Sequence, residues 1–271
     1  MICFMKRQLQ LLMASIFILN KDEPASTPQA TIVIVHGLCE HAGRYDYVTE
    51  KLLDKNFVVY RFDHRGHGRS EGQRVFYKDF HDIIEDVRTI VNKAKSENPP
   101  LPLFLIGHSM GGFASAAYGT KYPGTVNGFV LSGALTRYNT KLVGELPLDG
   151  MGTYFANELG DGVCSDPAVV KAYTADPLVE KEISVDLINH VFGEGVDWLK
   201  EAHAQFVDPV FLLHGTDDGL VSEEDSRMFF GDIHSTNKSL KIYAHLMHEI
   251  FNEVDKDAVI TEAIDWIEKQ Y

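Results

Sequence analysis

One stretch, residues 103–112, constrains this chain more than any other. It joins an apolar run at 103–106 to the pattern Gly-x-Ser-x-Gly, and small residues of helical character follow at 113–118. A buried strand, a sharp turn and a helix in this order are the context in which the motif presents a nucleophilic serine. The sequence therefore predicts that Ser109 projects from a strained turn at the end of a strand.

Glycines stand two residues before and two residues after Ser109, at Gly107 and Gly111. Strand and helix pass close together at such a turn, so both positions must be small. The N–H of Met110 then lies at a helix N-terminus, where unpaired backbone donors and the helix dipole stabilise a developing negative charge. We predict Met110 as an oxyanion donor. The alternative is a chance occurrence of the motif in a loop, and the flanking strand and helix argue against it.

Size and composition bound the fold and its partners. With 271 residues, 45% of them hydrophobic, the chain is long enough for one large core. The formal net charge of −14 at pH 7 argues against binding a phosphate backbone, so no nucleic-acid partner is expected. Cys3, Cys39 and Cys164 are widely spaced and predict neither a disulfide framework nor a zinc site. They fit a reducing compartment, and we expect a cytoplasmic protein.

The N-terminal region has two interpretations. Lys6 and Arg7, followed by the apolar residues 9–19, resemble the charged and hydrophobic parts of a secretory signal, and the run is too short to span a membrane. The alternative, which we favour, is a first strand at 15–19 that ends in a polar turn at 20–24. Secretion is expected only if residues 1 to about 25 are a signal.

Apolar runs alternate with amphipathic stretches along the rest of the chain. Strands are predicted at 32–35, 57–62, 103–106, 128–131, 209–213 and 240–243, and helices at 45–56, 79–98 and 256–269. This alternation predicts an α/β fold, with a mostly parallel sheet, helices on both faces and active residues at the carboxyl ends of the strands. Residues 134–206 interrupt the alternation with helical pieces and turns. We therefore predict a core of residues 1–133 and 207–271, with residues 134–206 inserted between core strands as a helical cap.

Acidic and basic partners for the serine follow two later strands. Serine is weakly nucleophilic at its own pKa and needs a base that a carboxylate orients. The loop after the predicted strand 209–213 carries Asp217 and Asp218, and the loop after the last predicted strand carries His248. Both loops are expected at the same edge of the sheet as Ser109. The sequence thus predicts a group of serine, histidine and one of two aspartates.

Five stretches together resemble the monoglyceride lipase and lysophospholipase-like branch of the α/β-hydrolases, over nearly the whole chain. They are the serine turn and HGLCEHAGRY at 36–45, FDHRGHGRSEG at 62–72, HGTDD at 214–218 and HEIFNE at 248–253. The resemblance implies an α/β-hydrolase fold with the catalytic order Ser, Asp, His. It implies Asp218 as the acid, the fifth residue of the family's His-Gly-x-x-Asp pattern, with Asp217 as the alternative. It also implies that the N–H groups of Leu38 and Met110 bind the oxyanion.

Four histidines next to glycines invite interpretation as metal ligands: His36, His64, His67 and His108. The family resemblance already accounts for these turns, so a structural role is predicted. Serine chemistry needs no metal, and no cofactor is expected. Cys39, one residue past a predicted oxyanion donor, is expected to be a buried and inert thiol.

The leading hypothesis is a serine carboxylic-ester hydrolase that works through an acyl-enzyme. Its expected small-molecule substrate is a monoacylglycerol or a similar neutral single-chain ester, held by apolar residues of the cap. These residues are Leu142, Val143, Leu146, Leu148, Met151, Tyr154, Phe155 and Leu159. Residues 134–206 contain 5 Lys and Arg against 12 Asp and Glu, a net charge of −7, which disfavours a phosphate-bearing lysolipid.

Other functions fit the same residues. A short-chain or feruloyl-type esterase, a thioesterase or a peptidase would use the same fold and the same three side chains. A non-catalytic binding protein on this scaffold belongs to a different class, and such proteins usually lack one of the three. Contact with lipid surfaces is expected to be transient at most. The sequence does not define the oligomeric state.

Overall fold

An eight-stranded sheet forms the centre of the part of the chain that the structure describes. The computed structural model describes residues 8–11 and 17–271. The strands are β1 (Gln8–Leu11), β2 (Ile18–Asp22), β3 (Ala30–Val35), β4 (Phe57–Phe62), β5 (Leu103–His108), β6 (Gly128–Ser132), β7 (Tyr154–Ala156), β8 (Glu182–Ser184), β9 (Val210–Gly215) and β10 (Lys238–Tyr243). The sheet order is β1-β2-β4-β3-β5-β6-β9-β10, and β7 pairs with β8 separately. From β4 to β10 in that order all neighbours are parallel, which confirms the prediction of a mostly parallel sheet.

Helices cover both faces of this sheet. They are α1 (Asp46–Asp54), α2 (Phe80–Glu97), α3 (Met110–Lys121), α4 (Pro167–Ala175), α5 (Val185–Leu187), α6 (Val196–Ala202), α7 (Glu223–Asp232) and α8 (Lys256–Glu268). In β3, Val33 and Val35 pack into the core that includes α2 and α3, whereas Ile32 and Ile34 pack into the core that includes α1 and α8. Burial on both faces explains why this strand is a continuous apolar run. Within residues 8–11 and 17–271, no helix combines the length and apolarity needed to cross a bilayer.

The elements differ from the predicted ones mainly at their ends. The predicted helix 45–56 begins with a 3₁₀ turn, Ala42–Tyr45, before α1, and β9 continues through His214 and Gly215. Helix α7 was not predicted. The residues that it buries are Asp225, Ser226 and Phe229, so it lacks the apolar periodicity that identifies a surface helix.

The strand directly before β3 lies further along the chain than predicted. The proposed run 15–19 is observed as β2, Ile18–Asp22, and residues 15 and 16 lie outside the described part. The polar residues 20–22 belong to the strand because they pair antiparallel with β4. The buried carboxylate of Asp22 also pairs with the buried Arg61 at 2.7 Å. β1 pairs antiparallel with β2. The choice between a strand and a signal rests largely on residues outside the described part and stays a prediction.

The segment between β6 and β9 contains more than helices. It includes β7, β8, α4 and a continuous helical stretch from α5 through a π-helical part, Ile188–Gly195, into α6. The β7–β8 pair was not predicted, because each strand has only three residues. Val196, Leu199 and Phe206 at the end of the segment are buried in the same core as α3. The last turns of the segment are therefore packed onto the core sheet's helical layer.

Candidate active site

Ser109 lies at the turn between β5 and α3 and has a strained backbone, with φ 55° and ψ −121°. The flanking glycines are required by close packing: a Cβ on Gly111 would lie 2.1 Å from the carbonyl oxygen of Val35, and one on Gly107 would lie 2.6 Å from that of Gly111. Met110 is the first residue of α3, so its N–H is at the helix N-terminus. The serine motif thus has the strand, turn and helix that the sequence predicted.

The loops after β9 and β10 bring Asp218 and His248 together. His248 Nδ1 lies 2.7 Å from Asp218 Oδ2, and both side chains are buried. His248 also lines the same narrow pocket as Ser109. Asp217 points elsewhere: its side chain is 53% exposed and pairs with His245 at 3.6 Å. The geometry therefore favours Asp218 over Asp217 as the partner of His248.

The pair has the electrostatics of a carboxylate that stabilises a protonated imidazole. Burial alone would lower the pKa of His248, but the Asp218 carboxylate outweighs it, and the pKa lies above its ordinary value. Burial alone would likewise raise the pKa of Asp218, but His248 and His214 hold that pKa well below its usual range. His214 is a residue of this site that the sequence analysis did not single out for chemistry.

The loop after β3 lies against the serine. A Cβ on Gly37 would be 3.0 Å from Ser109 Cβ, and Gly37 and Leu38 both line the pocket that contains Ser109. Cys39 adopts a positive φ of 64°, and its carbonyl accepts the N–H of Glu180 at 2.9 Å. The loop is thereby fixed to the segment that was predicted as the cap. The Cys39 thiol is buried, as predicted, and burial raises its pKa.

Two buried glutamates support this loop, and the sequence analysis missed both. Glu40 accepts from the N–H of Gly37 at 2.5 Å and from the hydroxyl of Tyr45 at 2.8 Å. Arg44 bridges Glu40 at 3.2 Å and Glu249 at 2.5 Å. The signal was present in the sequence, because each glutamate lies within three residues of a predicted functional residue. The sequence did not show that Arg44 forms ion pairs with two glutamates that are 209 positions apart in the chain.

His36, His64 and His67 pack against one another, and among the residues that the structure describes their ring nitrogens are hydrogen-bonded except for the buried Nε2 of His67. The rings of His36 and His64 are 4.4 Å apart, and those of His64 and His67 are 6.0 Å apart. His36 Nε2 accepts the backbone N–H of His64 at 2.9 Å. Burial lowers the pKa of His64 to about 3 and that of His67 to about 4. No metal-binding group of three or more His, Cys, Asp or Glu side chains occurs within residues 8–11 and 17–271.

An apolar cavity of about 290 Å³ adjoins the serine pocket. Leu38, Leu142, Leu159, Phe192 and Leu220 line both spaces. Of the eight apolar residues predicted to form an acyl slot, four line the cavity: Leu142, Val143, Phe155 and Leu159. The cavity's other apolar walls, which were not predicted, include Ile183, Ile188, Phe192 and Leu220.

The other four predicted slot residues serve elsewhere. Leu146 and Leu148 pack on the core, and Met151 is 52% exposed. Tyr154 donates its hydroxyl to the carbonyl of Arg74 at 3.0 Å. The π-helical part and the loop after β9 therefore supply walls of the cavity that the prediction from apolar residues did not include.

Comparison with known proteins shows the family to which the chain is similar. Residues 26–255 match the family model described as serine aminopeptidase, S33. A monoacylglycerol lipase of Mycolicibacterium smegmatis is 36% identical over 255 residues, which cover 90% of each chain, and human monoglyceride lipase is 30% identical over 92% of this chain and 85% of its own. The solved structure of the Paleococcus ferrophilus monoacylglycerol lipase superposes with a TM-score of 0.79 at 28% identity, covering 93% of this chain and 99% of that one.

The fold, the serine turn and these relatives define a serine ester hydrolase with the α/β-hydrolase fold. The chain belongs to the serine aminopeptidase S33 family and, within it, is a lipase-like hydrolase similar to the monoglyceride lipases. The resemblance and the fold class predicted from the sequence are both confirmed.

Proposed function

We propose that the protein hydrolyses monoacylglycerols or similar neutral single-chain esters through an acyl-enzyme on Ser109. The observation that carries the proposal is the 2.7 Å contact between Asp218 and His248 beside a serine held at φ 55° in the same pocket. A base held by a buried carboxylate beside a serine hydroxyl in one pocket is the arrangement that activates serine.

The proposed steps give each of these groups one task. Ser109 Oγ attacks the ester carbonyl while His248 Nε2 takes its proton, and the N–H groups of Leu38 and Met110 bind the resulting oxyanion. The tetrahedral adduct collapses as His248 protonates the leaving alcohol. Water, deprotonated by His248, then attacks the acyl carbonyl. As this second adduct collapses, His248 returns the proton to Ser109 Oγ and the fatty acid leaves. Asp218 keeps the imidazole oriented and stabilises its protonated form throughout.

The acyl chain is assigned to the apolar cavity next to Ser109. Its volume of about 290 Å³ suits a single chain, and leucines from three parts of the fold line the passage to it. The head group is assigned to the polar side of the serine pocket, where Glu40 and Glu249 are. Arg44 pairs with both carboxylates, so this cluster keeps one net negative charge. Together with the net charge of −7 over residues 134–206, it favours a neutral glycerol over a phosphate.

We also propose that residues 134–206 act as a cap over the site. Leu142, Leu159 and Phe192 from this segment line the pocket of Ser109, so a substrate reaches the serine beneath them. Release of substrate from a lipid surface requires contact at this side of the molecule, and we expect that contact to be transient.

A substrate series with a covalent probe tests the proposal. A fluorophosphonate should label wild-type protein and not Ser109→Ala, and kcat/KM should be measured for monoacylglycerols and nitrophenyl esters of increasing acyl length, a lysophospholipid and methyl ferulate. We expect a maximum at medium or long chains and weak lysophospholipid hydrolysis. A maximum of kcat/KM at acetyl or butyryl esters with no monoacylglycerol hydrolysis would identify a short-chain esterase. Absence of labelling of the wild-type protein would identify a binding protein.

A further inference from the structure

Two histidine rings meet at one oxygen of Asp218. His248 Nδ1 lies 2.7 Å and His214 Nε2 lies 3.0 Å from Asp218 Oδ2. The other oxygen, Oδ1, accepts the backbone N–H groups of Leu220 and Val221, each at 2.9 Å. The Asp218 side chain is 0% exposed, so protein donors alone stabilise its charge. His214 is one of four donors to this carboxylate and shares its oxygen with the base.

The surroundings of His214 determine which of its ring nitrogens carries hydrogen. Nε2 faces two acceptors, Asp218 Oδ2 and the carbonyl oxygen of Val221, both at 3.0 Å. Nδ1 faces the hydroxyl of Ser226 at 2.8 Å, which can donate or accept. The side chain of His214 is completely buried. Nε2 is therefore a donor to the carboxylate whether the ring is neutral or charged.

We propose that His214 is a positioning residue that sets the basicity of His248 through Asp218. The proposal rests on the proposed function, in which His248 is the base. A hydrogen bond donated to a carboxylate stabilises its negative charge. The carboxylate then stabilises the protonated form of a second partner less strongly. His214 thus fixes the orientation of Asp218 and limits how strongly this carboxylate favours protonated His248. The enzyme keeps its base neutral to a lower pH than Asp218 alone would allow.

Other titratable groups near the two rings do not link them in this way. His248 faces His108, at a ring separation of 4.5 Å, and the carboxylates of Glu249 and Glu40, whereas His214 faces Asp225 on α7. Within the described part of the chain, the atom to which both rings hydrogen-bond is Asp218 Oδ2. A change at Nε2 of His214 therefore reaches His248 through that oxygen.

Two variants of similar size isolate the N–H at this position. His214→Met removes the donor, and His214→Gln places an amide N–H near the position of Nε2; both lose the ring contact with Ser226. We expect the midpoint of the acidic limb of kcat/KM to move up by roughly 0.5 to 1 pH unit in His214→Met and by less than about 0.2 in His214→Gln. A purely structural role would lower activity in both without separating their pH profiles.

An unchanged midpoint in His214→Met, or equal shifts in both variants, would overturn the proposal. If the variants do not fold, ¹⁵N-histidine spectra of the wild-type protein decide: at pH 8 the Nε2 of His214 must carry a proton, and a ring protonated at Nδ1 alone excludes it as a donor. Failure of the proposed function appears separately, as wild-type protein that neither reacts with a fluorophosphonate nor hydrolyses esters, and the spectra do not depend on that activity.

Discussion

The backbone N–H of Gly37 donates to Glu40 Oε1 at 2.5 Å, and this contact holds the loop that borders Ser109. The same oxygen accepts the hydroxyl of Tyr45, while Oε2 faces Arg44. Glu40 is 4% exposed, so its charge is satisfied by the protein itself. The position of the predicted oxyanion donor Leu38 therefore depends on a carboxylate two residues away.

Glu40→Ala should lower kcat/KM by about a hundredfold, because small displacements of a group that contacts the transition state have effects of that size. Glu40→Gln keeps an acceptor for Gly37 and should lose about tenfold or less. Steady-state kinetics on one ester, with urea unfolding of each variant to confirm the fold, makes the comparison. Activity of Glu40→Ala within threefold of wild type would show that the loop is held without this side chain.

Ser109→Ala and His248→Ala should each reduce kcat by roughly four orders of magnitude or more, because the members of a triad act as a unit. Asp218→Asn should have a comparable or smaller effect. Asp217→Asn is the matched control and should retain activity, since its side chain is half exposed and faces His245. Loss of activity in Asp217→Asn with activity kept in Asp218→Asn would reverse the assignment of the acid.

The rate should rise with pH through the pKa of His248. The imidazole accepts a proton only when neutral, and Asp218 raises its pKa above the ordinary value of 6.5, so the midpoint in kcat/KM should lie above 6.5. In Asp218→Asn the attraction is lost while the burial remains, so the midpoint of the residual activity should move down. A rate that is constant between about pH 5 and 9 would exclude a histidine base.

The apolar cavity predicts a separation of long and short substrates. Leu142→Trp should fill the passage shared by the serine pocket and the cavity and lower kcat/KM for long acyl chains by about tenfold or more, with butyryl esters little affected. Met151→Trp, in the same segment but 52% exposed, is the control. Equal losses on long and short esters in Leu142→Trp would mean that the chain binds elsewhere.

Buried neutral histidines should make the fold sensitive to acid. Burial lowers the pKa of His64 to about 3 and that of His67 to about 4. Below about pH 6.5 these rings therefore stay neutral in the folded chain, whereas they bind protons in the unfolded chain. The contribution of these rings to the free energy of unfolding is therefore fully present above about pH 6.5. It decreases as the pH is lowered below 6.5, by about 1.4 kcal/mol per pH unit for each such ring. Urea midpoints at about pH 7.5 and 5.5 should show a weaker decline in His67→Asn and an unchanged one in the exposed His245→Asn. An unchanged decline in His67→Asn would contradict this account.

The sequence predicted what local chemistry specifies. The turn at Ser109 follows from steric limits on Gly107 and Gly111, and the central strands follow from apolar runs that are buried on both faces. Helix α7 was missed because its buried face is largely polar. Glu40, Glu249 and His214 were missed for a different reason. Hydrogen bonds such as that from His214 depend on side-chain directions at the strand ends, which periodicity does not report.

β6 and β9 pair side by side, from Phe129 opposite Val210 to Ser132 opposite Leu213, although residues 133–209 separate them in the chain. The entropic cost of closing such a loop rises by only about 0.6 kcal/mol for each doubling of its length. Longer loops within this segment therefore cost little for the β6–β9 pairing, provided that the residues packed on the core, such as Val196, Leu199 and Phe206, are kept. Changes in those loops can reshape the part of the apolar cavity that this segment lines while the sheet that carries Ser109, Asp218 and His248 keeps its pairing. The proposed substrate range and the proposed reaction chemistry can therefore evolve as separate characters.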